Sequence, residues 1–577
     1  MWLSGTANDG RQLCRAAPRR ARPRRPLRTT LILLSVAPLA VHARLATAGT
    51  MHFVERTAPA GLDWDHAIVG GPSGEIERAI GGAAVSDYDR DGDLDLFVVT
   101  GDHTADRLLR NTGNGVFEDV TAAAGMPMDL RLSSGPLFFD ADGDGWDDLF
   151  VAGVSGAQPR LLLNQRDGSF VEQTVKSTFG RISVSGDTVS AAYGDVDRDG
   201  DFDLLLAHWN VGPSTEAGRL WLNDGTGRFN LLTDAQAGID AYGTFDYTLA
   251  PNLVDLDGDG WLDIASTGDF GTSQIFLNQG ASVGGLHFLR VTDPAVITDE
   301  NGMGSVLQDL DADGDVDWLV TSIWDPDGVA LPGQWGVTGN RLYRNLGDGT
   351  FEDATDEAGV RIGYWGWAGC AADFDLDGDL DLFHTNGWSD AIAGEFHADP
   401  SRLFLAAGDG SYLEASVASG IDDTGQGRGA ICFDADRDGD VDVLVANNEG
   451  PLRFYRNETP SPRGLTVIPV QPNGAPALGA RVRASAAGRE THQVLHSSCN
   501  YVSHQPTELV FGSAGATHFD ELRIDWPGGG VTLLTDVAVS SQPLVLSRGV
   551  QAIPISSSGL AMLALALGVC GWLWLRR

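Results

Sequence analysis

The sequence predicts an all-β protein: a seven-bladed β-propeller with an aspartate loop in every blade, followed by a small β-rich domain. Three observations predict it. An aspartate motif recurs seven times at steps of 53 to 64 residues. Each copy sits among short strand-like runs, and the run missing from the last repeat stands ahead of the first. A self-similar period of this length marks an array of supersecondary units.

The motif reads Asp-x-Asp-x-Asp-Gly-x-x-Asp or a near spelling, with copies starting at Asp87, Asp140, Asp195, Asp255, Asp309, Asp373 and Asp434. Small and apolar residues precede most copies, as in Gly82-Ala83-Ala84-Val85, and an apolar run follows, as in Leu96-Phe97-Val98-Val99. Runs this short read as buried strands. A third strand is spelled Arg107-Leu108-Leu109-Arg110-Asn111, and again at 160–164, 219–223, 341–345 and 453–457. After a Gly-rich hairpin comes a fourth, as in Phe117-Glu118-Asp119-Val120-Thr121. Four strands per repeat make a propeller blade.

The seventh repeat reaches Asn457 with no fourth strand, and Phe53-Val54-Glu55-Arg56-Thr57 supplies one. The expectation is a ring over residues 51–460 closed by its first strand, which removes two exposed sheet edges. The rival, an open solenoid of seven units, needs distinct polar caps that the sequence lacks.

The aspartates are candidate metal ligands. The first loop offers Asp87, Asp89 and Asp91 at positions 1, 3 and 5, Gly92 at 6, Asp93 at 7 and Asp95 at 9. The other sets are Asp140, Asp142, Asp144, Trp146 and Asp148; Asp195, Asp197, Asp199, Asp201 and Asp203; and Asp255, Asp257, Asp259, Trp261 and Asp263. Asp309, Asp311, Asp313, Asp315 and Asp317 form the fifth. Asp373, Asp375, Asp377, Asp379 and Asp381, then Asp434, Asp436, Asp438, Asp440 and Asp442, complete the series. Ca²⁺ takes six to eight hard oxygens in such a loop. Position 7 would give its backbone carbonyl, so Trp146 and Trp261 are tolerated there. An EF-hand would need a bidentate Glu at position 12 on a leaving helix; here position 12 is Val98, Val151 and Leu206 in the first three copies. Without a cation the crowded carboxylates would repel one another by several kcal/mol, on the order of the Coulomb energy at short range. The expected cofactor is Ca²⁺, about seven per chain, in preference to Mg²⁺, which is rarely held by an all-protein cage.

Charge and chain ends place the protein outside the cell. The net charge is −40, and the first 48 residues carry nine Arg and one Asp; without them 30 basic residues face 78 acidic ones, or −48. Such a surface repels nucleic acid and anionic membrane. The basic stretch 15–28, the apolar run Leu31 to Val41 and the small-residue sites up to Ala48 read as a signal peptide over 1–48, rather than an arm before a signal anchor. At the other end an uncharged run from Gly559 to Leu575 precedes Arg576-Arg577, a tail over 553–577 and the one expected membrane contact.

Cys370 and Cys432 lie in neighbouring repeats, three and two residues before their aspartate runs. On a strand that offset points them to opposite faces, so free buried thiols are expected. Three histidines, His492, His496 and His504, read as part of a solvated strand-loop segment rather than a metal site.

Taken together, these loops and their flanking Phe and Gly signatures resemble the FG-GAP/VCBS repeats of integrin α-subunit propellers and of bacterial exported proteins. Residues 464–549 lack the aspartate loops. They carry Gly479-Ala480-Arg481-Val482, Ser497-Ser498-Cys499-Asn500-Tyr501, Leu509-Val510-Phe511-Gly512 and Trp526-Pro527-Gly528-Gly529. These are similar to the ASPIC/UnbV domain of the cartilage acidic protein family, as is Gly366-Trp367-Ala368-Gly369-Cys370. Cys499 departs from that family's more usual small residue. Ile553-Pro554-Ile555-Ser556 before the tail resembles an exosortase-type sorting signal. The resemblance implies secretion, calcium binding and an adhesive or matrix role, with an extracellular protein or glycan as partner.

The alternative is a propeller enzyme acting on an extracellular polysaccharide or other polymer, since the fold alone does not decide function. The sequence shows no Gly-x-Ser-x-Gly, His-Glu-x-x-His or phosphate loop. One candidate ligand face is offered by Asp102-His103, His208-Trp209, Trp324, Asn386-Gly387-Trp388 and Asn447-Asn448, if these do not simply pack between blades and cap turns.

Overall fold

The computed structural model describes residues 51–173, 187–211, 219–239, 246–282, 285–326, 336–388, 396–460, 464–497 and 499–548. The expected signal peptide and tail lie outside the described residues. Among the described residues, no helix is long and apolar enough to cross a membrane.

The first blade is a four-stranded antiparallel sheet of Ala83–Ser86, Asp95–Val98, Arg107–Asn111 and Phe117–Asp119. The same meander repeats along the chain, its inner strands being Ser133–Phe139, Asp187–Gly194, Asp246–Val254, Ser305–Gln308, Gly366–Ala372 and Gly427–Phe433. In the last sheet the outer position is taken by Phe53–Glu55, which pairs with Arg453–Asn457 in the register Phe53↔Asn457 and Glu55↔Tyr455. Chain start and repeat end thus share one sheet, and the inner strands of the last and first blades meet.

Every inner strand is buried on both faces, because each blade packs on two neighbours. The apolar clusters accordingly span pairs of blades: Val85, Leu96 and Leu109 pack with Ile431, Phe433 and Phe454, and Tyr88 and Phe97 with Phe138 and Leu149.

This packing corrects the reading of the cysteines, since Cys370 and Cys432 form a disulfide with a Cα–Cα distance of 6.3 Å. Consecutive blades in a ring stack one blade's leading face on the next blade's trailing face. Thiols on opposite faces of their own strands are therefore the ones that meet.

The segment after the ring forms two sheets. Leu465–Val470 lies between Leu509–Phe511 and, in parallel, Ser540–Ser547. Arg489–Val494, Arg481–Ala486, His518–Asp525 and Val531–Ala538 form the other. Its core is continuous with the propeller, Val482, Phe511 and Trp526 sharing a cluster with Phe139, Tyr193 and Phe202.

From this domain the stretches 495–497 and 499–505 enter the axis of the ring. Ser497 Oγ accepts from Tyr193 N and donates to Tyr193 O. Asn500 Nδ2 donates to Ala430 O at 2.5 Å, and His504 N to Ala83 O at 3.0 Å. Tyr501, with no exposed surface, donates to Ala79 O at 2.6 Å and packs on Trp367 at 5.1 Å. Glycine is needed where the plug passes: a Cβ on Gly82 (φ +102°) would overlap Val502 O. Beyond Tyr501 the axis is filled by stacked Trp365, Trp367 and Trp388, with the buried Arg428 guanidinium 4.1 Å from the Trp367 ring.

Candidate metal centres

Each aspartate loop joins the first and second strands of its blade. Position 12 lies in a strand, as the EF-hand test required: Val98 ends Asp95–Val98, and Val151 and Leu206 lie within theirs. The loop curls because position 1 receives backbone donors from further along. Asp140 Oδ1 accepts from Asp144 N (3.0 Å) and Oδ2 from Gly145 N (2.8 Å), and Asp309, Asp373 and Asp434 repeat the pair. The glycine at position 6 has positive φ in all seven loops, from 86° at Gly260 to 104° at Gly314. Position 4 is left-handed as well, including the non-glycine residues Arg90, Arg198, Ala312, Leu376 and Arg437. That conformation is unusual outside glycine, asparagine and aspartate, and spelling alone did not flag it.

The curl brings carboxylates together. Three ligand oxygens lie within 4.8 Å of one another in Asp87/Asp89/Asp95, Asp140/Asp142/Asp148, Asp195/Asp197/Asp199, Asp255/Asp257/Asp259 and Asp309/Asp311/Asp317, with two further such groups. Position 9 is anchored from two sides: Asp148 Oδ2 accepts from Ala141 N (2.9 Å) and Oδ1 from Asn164 N (2.7 Å). Burial first, and then the neighbouring carboxylates, hold these groups above the usual carboxylate range. Asp87 is pushed up to about 7, Asp95 to about 9, and Asp148, Asp203 and Asp317 to about 8. Asp373 and Asp442 are raised well above it.

Several buried oxygens accept no hydrogen bond: Oδ1 of Asp87, Asp142, Asp195, Asp255, Asp436 and Asp440. Converging, desolvated oxygen acceptors without donors are what a hard cation would complete. The residues present therefore fit a metal ion, and the oxygen-only donor set suits Ca²⁺. Positions 1, 3, 5 and 9 would give carboxylates and position 7 its carbonyl.

The structure adds a role for the Asn that ends the third strand. Asn223 Nδ2 donates to Phe202 O of its own loop (3.0 Å) and to Ala141 O of the preceding loop (2.8 Å), while its Oδ1 accepts from Gly225 N (3.2 Å). Asn111, Asn164, Asn278, Asn345 and Asn457 do the same, so Asn111 ties the first loop to Ala435 O of the last. Each is a staple between neighbouring aspartate loops. Its recurrence was visible in the sequence; the cross-blade partner was not. The tryptophans at position 7 also have partners, Trp146 and Trp261 being covered by Arg90 (4.4 Å) and Arg198 (3.9 Å) of the preceding loops.

The C-terminal domain sits on this loop face. Arg481 donates to Gly314 O (2.7 Å) and Asp255 O (3.0 Å), and Arg489 pairs with Asp379 (2.6 Å). His492 pairs with Asp309 (3.0 Å), Gly512 N donates to Asp373 Oδ2 (3.1 Å), and Glu508 pairs with Arg437 (2.8 Å). The expectation of a solvated histidine segment is corrected here. His492 is partly exposed, but His496 and His504 are buried in the plug, and burial lowers them to about 4 and about 3.

The candidate ligand face is internally bonded. Asp102 Oδ1 accepts from Val69 N (2.6 Å), and Trp209 packs on Tyr247 (5.9 Å). Asn386 donates to Pro400 O (2.6 Å), Trp388 stacks on Trp365 (4.9 Å), and Asn448 donates to Glu77 O and Ile80 O (both 2.9 Å).

Comparison with known proteins agrees with this architecture. The FG-GAP-like repeat model matches residues 87–151, 140–206, 255–320 and 325–384, and the ASPIC and UnbV model matches 470–551. Cartilage acidic protein 1 of Mus musculus is 25% identical over 493 residues, covering 78% of this chain and 70% of that one. The Homo sapiens protein is likewise 25% identical, covering 78% and 69%. Among solved structures, an Agrocybe aegerita lectin that recognises non-reducing terminal N-acetylglucosamine is similar at 18% identity, with TM-score 0.37, covering 66% of this chain and 90% of that one. The chain carries FG-GAP-like repeats followed by an ASPIC and UnbV domain, and it is similar to cartilage acidic protein 1.

Proposed function

We propose that this chain is an exported, calcium-loaded propeller that works as a binding or adhesion module at the cell surface or outside the cell. The observation that carries the reading is the set of curled loops whose buried carboxylate oxygens lack hydrogen-bond donors. Free Ca²⁺ is plentiful outside cells, and sites of this type in extracellular modules are tuned to it. The expected partner is an extracellular protein or glycan. The leader and tail sequences support export, and the tail is the proposed membrane contact.

The test is binding of the purified chain, without leader and tail, to an array of glycans and matrix proteins, with calcium and with chelator. Binding to one class that is lost with chelator supports the reading. No binding in calcium, or binding indifferent to chelator, overturns it.

A further inference from the structure

One junction of the ring departs from the rest. In six blades the stapling Asn faces a Phe across the strand pair, as in Asn111↔Phe117, Asn345↔Phe351 and Asn457↔Phe53. In the sixth blade the same pair is Ala406↔Tyr412. The backbone there is otherwise unchanged, Ala406 N still donating to Asp381 Oδ1 at 2.8 Å. What is missing is one carboxamide.

A cavity of about 290 Å³ lies at that place. It is lined by Ala406 and Tyr412, and by Leu310 and Leu380, whose carbonyls are the counterparts of the two staple acceptors in the other blades. Gly408, the counterpart of the backbone donors Gly113 and Gly347 that meet the staple's Oδ1, is also on its wall. The Tyr412 hydroxyl, on a side chain over nine-tenths buried, has no hydrogen-bond partner. Its position beside the missing Asn follows from cross-strand pairing on one face. Gly408 is exposed, so the cavity reaches the surface.

We propose that this cavity, at the junction of the fifth and sixth blades, receives a primary carboxamide, the group that ends Asn and Gln side chains. Two N–H donors meet the Leu310 and Leu380 carbonyls, and the amide oxygen accepts from Gly408 N and the Tyr412 hydroxyl. Of the carboxylates on its wall, Asp311 pairs with Arg344 (2.7 Å) and Asp379 with Arg489 (2.6 Å), Asp309 and Asp311 belong to the fifth loop's cation group, and Asp409 is exposed, which favours a neutral group over an ammonium. The proposal goes beyond the binding-module reading and does not depend on it, because the receptor groups are mostly backbone.

The experiment is ligand-observed NMR on the calcium-loaded chain with propionamide, against N,N-dimethylpropionamide, which lacks N–H donors. Expected is saturable binding in roughly the millimolar range for so small a ligand, and at least about tenfold weaker binding of the dimethyl compound. Ala406→Asn supplies its own carboxamide and should abolish binding while raising the melting temperature. Tyr412→Phe, which matches the other blades, should weaken binding several-fold with the fold intact. Parallel titrations with Gly-Gln-Gly and Gly-Glu-Gly distinguish sources: tighter binding of the Gln peptide than of propionamide assigns the site to a partner chain, and equal binding to a free amide. Failure of propionamide to saturate, equal binding of the dimethyl compound, or unaltered binding by Ala406→Asn would overturn the proposal.

Discussion

Truncating Tyr501 tests whether the C-terminal domain and the ring are one folding unit. The side chain has no exposed surface, its hydroxyl donates to Ala79 O at 2.6 Å, and its ring lies 5.1 Å from that of Trp367. Tyr501→Phe removes one donor and strands a buried carbonyl, a loss of about 1–3 kcal/mol. Tyr501→Ala also empties the ring's volume, and buried aromatic truncations cost about 3–5 kcal/mol. The Ala variant should therefore be the more damaged of the two. Urea unfolding in calcium buffer reads both, with tryptophan fluorescence for the Trp365, Trp367 and Trp388 stack and far-UV circular dichroism for the sheets. The expected result is one transition by both probes, shifted to lower urea in the order wild type, Phe, Ala. An unchanged midpoint for the Ala variant, or a shift confined to a separate minor transition, would refute the interlock.

Four further outcomes follow from the same contacts. Without an ion, Asp95 at about 9 and Asp148, Asp203 and Asp317 at about 8 lie above the ~4 of an unfolded Asp, so their stabilising contribution is present below about pH 4 and lost as the pH climbs through 8 to 9. The chelator-induced fall in melting temperature should accordingly widen from about pH 5 to about pH 8.5, and a constant gap would contradict the crowding of these carboxylates. Chelation at neutral pH should itself lower the melting temperature sharply, since each site at hundredfold excess calcium adds ~2.7 kcal/mol; added sodium chloride at matched ionic strength should not substitute. Deleting residues 51–62 removes the strand paired with Arg453–Asn457 and should produce aggregation at the bared edge, measurable by light scattering; a monomer with unchanged melting would count against closure. Reducing Cys370–Cys432, which spans 62 residues, should cost about 2–4 kcal/mol, read as a lower urea midpoint that Cys432→Ser reproduces without reductant.

The sequence carried the blade pattern because it is local. Strand runs, glycines at position 6 and the first strand's spelling each repeat within one blade, and the structure places Phe53 opposite Asn457 accordingly. It carried the aspartate clusters for the same reason, since positions 1, 3, 5 and 9 close within nine residues. What it did not disclose lies between blades. The Asn staples, Arg90 over Trp146 and the disulfide all depend on which face of one blade meets the next, and a parity rule for one strand gives the wrong answer for two stacked sheets. The plug was hidden for a different reason. Ser497, Asn500 and His504 are polar, and the histidines among these residues read as solvated, yet all three are buried because the ring's inner backbone supplies their partners, as with Tyr193, Ala430 and Ala83. No window of sequence around residue 500 contains those groups.

The central claim is that the aspartate loops are calcium sites. Metal analysis of the chain without leader and tail, dialysed to equilibrium against several millimolar calcium and corrected for the calcium of the dialysate, tests it most directly. With seven loops and one ion held by each, the account predicts about seven calcium ions per chain, falling by about one when Asp142→Ala opens the second loop. Two ions or fewer per chain, or a count unchanged by that substitution, would contradict it.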